Sequence, residues 1–187
     1  MTATLGPFAS MSDQLRGRVF RQEVVCESYS GQASVCTYAH IDASPSQIIS
    51  AILDLDARLE APRDLCLLDR YEIISQEDDR MVVRWVVTSG PPFGLTSTDK
   101  ILSFETSGRW VRATELREER RIATPQLHIQ YHIEPVFDGS VVAYHTEMVS
   151  RLGRPFTRVF RMLMAHSASR EINYLRHCVR HQSQALG

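Results

Sequence analysis

Residues 153–182 read GRPFTRVFRMLMAHSASREINYLRHCVRHQ, and the run continues to about 184 without another glycine or proline until Gly187. Pro155 stands in a first helical turn, where its missing N–H has no intrahelical partner to lose. At about 100° per residue, Phe156, Phe160, Leu163, Met164, Ala168, Ile172, Leu175 and Val179 gather on one face, with Arg158, Arg161, Arg176 and Arg180 elsewhere around the axis. The spacing predicts a long amphipathic helix that must lie against an apolar surface. In mid-face the side chains shrink to Ser167 and Ala168, and Glu171 falls at the centre of the stripe. Two readings follow. Either the small residues permit close packing and Glu171 reaches water, or the helix roofs a cavity.

The surface for that helix comes from the preceding chain. Candidate strands are DLCLLDRYEIIS (64–75), MVVRWVVTS (81–89), STDKILSFET (97–106), RWVRATELRE (109–118), QLHIQYHIEPV (126–136) and SVVAYHTEMVS (140–150). The connectors QEDD, GPPFG, SG and FDG carry turn residues, and short connections between consecutive strands mean antiparallel neighbours. The longer connector EERRIAT (118–124) reads as a charged loop. Upstream, Ser44, Pro45 and Gln47 form a capping box with proline at the first helical position, opening a helix over 45–59 that stops before Pro62. SVCTYAHID (34–42) alternates like a half-buried strand, and 18–28 fits a strand or a short helix. Residues 1–30 are expected to be an N-terminal arm or extra strand, with one domain over 31–187.

A core strand, a short capped helix, an antiparallel meander and a long C-terminal helix occur here in the order of the helix-grip fold. The sequence resembles the START-like (SRPBCC) superfamily, which includes START lipid-transfer domains, Bet v 1-like plant proteins and bacterial polyketide cyclase/dehydrase proteins. The likeness is carried by IDASPSQIISAILDLDAR (41–58), GPPFGLTSTDKI (90–101), and YHIEPVFDGSVVAYHTEMV (131–149) followed by GRPFTRVFRML (153–163). START domains usually show an Arg-Asp pair where this chain has Thr98 and Asp99. The resemblance implies an α+β fold, a curved antiparallel sheet of six to seven strands gripping the long helix. It also implies an apolar cavity between sheet and helix that holds a lipid, polyketide or related molecule. The fold alone does not separate carrier, sensor and enzyme.

Strand alternation nominates the residues that face such a cavity. Strand 126–136 splits cleanly, with Leu127, Ile129, Tyr131 and Ile133 inward. In 140–150 the inward set is Val142, Tyr144, Thr146 and Met148, and in 81–89 it contains Trp85. In 109–118, Trp110 inward would bring Arg112 with it, and a buried arginine demands an acceptor such as Glu171. The expected ligand contacts are therefore Trp85, Trp110, Ile129, Tyr131, Ile133, Tyr144, Met148, Phe160, Met164, Ser167 and Ala168. If the cavity catalyses cyclisation or dehydration, Glu171 with a pKa raised by burial is the expected acid or base, with Arg112, Tyr131 and Tyr144 polarising a carbonyl.

Other chemistry is not signalled. No nucleophile elbow, phosphate-binding glycine loop or dinucleotide motif is present, so no cofactor is expected. His128 and His132 share a strand face about 13 Å apart, too far to chelate one ion, and His177 and His181 lack a third ligand, so no metal is expected. The cysteines, Cys26, Cys36, Cys66 and Cys178, form no metal or disulfide spacing. A net charge of −1 on 187 residues gives no electrostatic footprint for nucleic acid. No run suits a signal peptide or a stable membrane insertion, and 43% hydrophobic with 23% charged residues is ordinary for a globular chain. A cytoplasmic protein, monomer or homodimer, is expected.

Overall fold

A computed structural model describes residues 11–28, 34–89, 96–116, 126–149 and 154–185. The expected GPPFG turn and the charged loop 118–124 lie outside the described residues. Helix α1 spans Asp13–Phe20 and strand β1 spans Val25–Ser28, so within 18–28 the first residues are helical and the last form the strand. The order continues as β2 (Ser34–Ile41), α2 (Pro45–Leu53), α3 (Leu55–Glu60), β3 (Leu68–Gln76), β4 (Arg80–Ser89), β5 (Thr96–Ser107), β6 (Trp110–Leu116), β7 (Gln126–Val136), β8 (Gly139–Val149) and α4 (Arg154–Ala185). Among the described residues, eight strands form one antiparallel sheet in the order β1-β2-β8-β7-β6-β5-β4-β3. This is one more strand than the upper sequence expectation, because β1 adds an edge to β2.

The capping box forms as read. Ser44 Oγ accepts from the Gln47 amide, Gln47 Oε1 accepts from the Ser44 amide at 2.9 Å, and Pro45 fills the first turn. The helix expected over 45–59 is broken at Asp54. That residue leaves helical geometry (φ −76°, ψ 92°) so that its carboxylate can cap the Ala57 amide at 2.9 Å and open α3. The break resets the helical phase, and the consequence reaches the candidate site: Leu55 and Arg58 turn inward while Leu59 is exposed.

Helix α4 lies across one face of the sheet, against β2, β8 and β1, and also packs on α2. Its sheet-facing residues Ala168, Ile172, Leu175 and Val179 join Ala39, Ile41, Val83, Leu102, Phe104, Val111, Ile133 and Val142 in one core. The outer face of β1, β2 and β8 is covered by α1 and the residues just before it, where Val19 and Met11 pack with Val25 and Val141. That seam is pinned by His40, 1% exposed, whose Nδ1 meets the side-chain Nε2 of Gln22 at 2.9 Å and whose Nε2 meets Asp138 at 3.1 Å. No helix among the described residues is long and apolar enough to cross a membrane.

Candidate functional site

The inner face of the sheet can be read rung by rung. Trp85 faces Lys100 across β4–β5, Leu102 faces Glu115 across β5–β6, and Val111 faces Tyr131 across β6–β7. On β7–β8 the rungs are Leu127–Met148, Ile129–Thr146, Tyr131–Tyr144 and Ile133–Val142. On β4, β7 and β8 the described core residues Val83, Tyr131, Ile133, Val142 and Tyr144 share this face. Tyr131, Tyr144, Ile133, Met164 and Ala168 are buried, while Trp85 and Ile129 pack on the core only half-buried. The side chains of Met148 and Phe160 lie outside the described residues.

Three expected contacts are corrected by placement. In β6 it is Val111 and Ala113 that turn inward, fully buried, so Trp110 and Arg112 stand on the outer face. Trp110 is 37% exposed and stacks flat on His132, ring centroids 3.9 Å apart. Small inward residues suit a rung opposite Tyr131, and two-residue alternation leaves no room for Arg112 to follow a different course. Ser167 is exposed, since it lies about 100° around the helix from the buried Ala168.

The partner of Glu171 is Arg58, which the sequence reading did not nominate. The two meet in a fork, Nη1 to Oε2 at 2.9 Å and Nη2 to Oε1 at 2.6 Å, with Arg58 3% and Glu171 15% exposed. Arg58 Nε donates to the Ile52 carbonyl at 3.2 Å, and its guanidinium lies 4.3 Å from the Tyr174 ring and 5.6 Å from that of Trp85. The Tyr131 hydroxyl donates to Glu171 Oε1 at 2.9 Å, and the Tyr131 and Tyr144 rings sit 4.8 Å apart. Tyr174, fully buried, donates to the carbonyls of Ala51 and Asp54, tying α4 to α2. A second inner pair, Lys100 with Glu115 at 3.0 Å, carries the Leu127 amide on the same carboxylate.

Burial pushes the Glu171 carboxyl upward, but the Arg58 charge and the hydrogen bonds from Arg58 and Tyr131 outweigh it and hold the pKa below its ordinary value. The expected raised pKa is thereby reversed. For Arg58, burial opposes the charge and Glu171 more than restores it. Burial, then the Glu171 charge, raises both Tyr131 and Tyr144. The result is a closed ionic knot at the centre of the inner face. A shallow cleft lies elsewhere, at the β3–β4 edge beside Arg70, Tyr71, Glu72, Arg84 and Val86; Arg84 there is already forked onto Asp99.

This architecture is the helix-grip fold of START-like proteins. Its solved counterparts include a STAR-related lipid transfer protein from Xanthomonas axonopodis (TM-score 0.64, 14% identity, covering 84% of this chain and 92% of that one). A human lipid transfer and protein localization domain gives a TM-score of 0.60 at 12% identity, covering 90% of this chain and 98% of its own. The Zhui aromatase/cyclase from Streptomyces gives 0.58 at 10% identity, covering 81% and 93%. At such identities the likeness is one of fold. No protein-family model and no curated protein sequence matches the chain.

Proposed function

We propose that the chain binds a hydrophobic small molecule between the inner face of the sheet and α4. The observation that carries this reading is the unequal filling of that interspace. Around Ile133, Val142, Phe104, Ile172 and Leu175 the side chains close into a solid core, yet Trp85, Leu127 and Ile129, on the same face, are left half-buried. An apolar ligand covering such surface gains about 25 cal/mol per Å² removed from water. The shared fold of lipid-transfer domains and aromatase/cyclases supports binding of this kind. The cysteines are free thiols, which suits a cytoplasmic setting.

Within this reading Trp85, Ile129, Tyr131, Tyr144, Met164 and Ala168 line or back the ligand. Acid-base catalysis by Glu171 is disfavoured by its geometry, since both carboxylate oxygens are clamped and the group is held ionised. Native mass spectrometry of gently purified protein tests the proposal. A retained apolar molecule, exchangeable for added lipid or aromatic compounds, is expected; a chain that neither retains nor accepts one across a broad panel is a filled structural domain.

A further inference from the structure

The polar groups that look most available for a ligand are already committed. Each Arg58 nitrogen has a protein acceptor, the Tyr131 hydroxyl donates to Glu171, and Tyr144 interacts with Tyr131. The Tyr174 hydroxyl reaches two helix carbonyls, Lys100 is bound to Glu115, and the Thr37 hydroxyl lies 3.2 Å from the Cys26 sulfur. One group breaks the pattern. Thr146 Oγ1 is the one buried hydroxyl among the described residues that has no hydrogen-bond partner, and the side chain is 3% exposed.

Its position is informative. Thr146 lies on the Val35–Thr146–Ile129 rung, next on the inner face to the Thr37–Tyr144–Tyr131 rung and about 6.6 Å from it along the strands. It thus sits beyond the ionic knot, toward the half-buried Ile129 and away from the closed core of Ile133 and Val142. A buried donor without a partner normally costs stability and is rare in folded proteins. A side chain of the same shape without the hydroxyl, valine, would fit this strand without that cost.

We propose that Thr146 is the hydrogen-bonding anchor of the bound molecule, and that the ligand class is an apolar compound carrying a carbonyl, ether or hydroxyl oxygen. This rests on the binding reading above. The Thr146 O–H is the free donor facing the interspace, and the ligand oxygen accepts from it, satisfying a group that the unliganded fold leaves unpaired. Arg58 and Lys100, the cations reaching the interspace from α3 and β5, are each neutralised by a carboxylate, so they offer no open counter-charge to an acidic headgroup.

The test uses a matched pair of probes, fluorenone and fluorene, which share a shape and differ in one carbonyl oxygen. Equilibrium dialysis measures both against the wild-type chain, Thr146→Val and Thr146→Ser. Wild type should prefer fluorenone by about tenfold, the worth of one hydrogen bond made to an otherwise unpaired donor. Thr146→Val should abolish the preference by lowering fluorenone affinity to that of fluorene, and Thr146→Ser should retain it. The unliganded Thr146→Val chain should also melt a few degrees higher, about 2–4 °C, because an unsatisfied buried hydroxyl is gone. Equal binding of both probes by wild type and Thr146→Val overturns the anchor and leaves the binding reading standing. Retention of neither probe by wild type counts against the binding reading itself and takes the anchor with it.

Discussion

Replacing Glu171 with leucine should be among the most destabilising single changes in the inner face, and more costly than replacing its partner. Glu171→Leu strands Arg58, which is 3% exposed, cannot shed its proton and keeps only the Ile52 carbonyl and two aromatic faces. Breaking a buried pair in this way costs about 3–5 kcal/mol. Arg58→Met strands Glu171 instead, but that carboxyl is 15% exposed, can be rehydrated or protonated, and keeps the Tyr131 hydrogen bond. A cost of about 2–3 kcal/mol is expected there. The double substitution removes both charges and should return to within about 1 kcal/mol of wild type. Urea unfolding followed by circular dichroism measures all four proteins. Additive single effects, or a larger loss from Arg58→Met than from Glu171→Leu, would refute the reasoning. The same pair fixes a pH dependence. Because the folded carboxyl has a pKa below the ordinary value of 4.5, its contribution is present above that value and lost as pH falls through the folded pKa. The wild-type urea midpoint should therefore drop more steeply below about pH 4.5 than that of the double variant.

Gly139, at φ +151°, opens β8 where an added Cβ would collide with the Ile41 carbonyl oxygen, a backbone atom that cannot step aside. Gly139→Ala should cost at least about 2 kcal/mol by urea unfolding. Ser44→Ala removes the Ser44 half of the capping box and should cost about 1 kcal/mol, with faster amide exchange confined to the first turn of α2. Trp85→Ala should weaken retention of an apolar ligand by about tenfold or more in native mass spectrometry, whereas Trp110→Ala, on the outer face, should leave it unchanged.

Much of the fold was legible because its signals are local. The capping box at Ser44, the alternation in β7 and the stripe of α4 each carry their own period, and their order matches the helix-grip arrangement. The site was less legible, and the misses share a cause. Alternation fixes two faces of a strand without saying which is inner, so in β6 the large Trp110 outvoted Val111 and Ala113, whose burial is decided by the Tyr131 and Ile129 rungs across the strand pair. Arg58 is hidden because the apolar stripe over 45–59 has the spacing of one continuous helix. Only the Asp54 cap, visible in DLDAR as an aspartate two residues ahead of another, rotates Arg58 inward and Leu59 outward. Glu171 stands at the centre of the α4 stripe in the sequence, yet its ionisation state depends on an arginine outside that stripe. Thr146 was on the nominated inner face, but an unsatisfied hydroxyl is a property of three-dimensional neighbours and leaves no trace in spacing.

The two tryptophans allow the central claim to be tested inside one molecule, since Trp85 faces the interspace and Trp110 the opposite side of the sheet. In Trp110→Phe and Trp85→Phe proteins, each reporting a single indole, emission is followed while an apolar aromatic ketone is titrated. Binding between the sheet and α4 predicts saturable quenching of Trp85 with little change at Trp110. Saturable quenching of Trp110 alone, or of neither at concentrations where native mass spectrometry detects the complex, would contradict it.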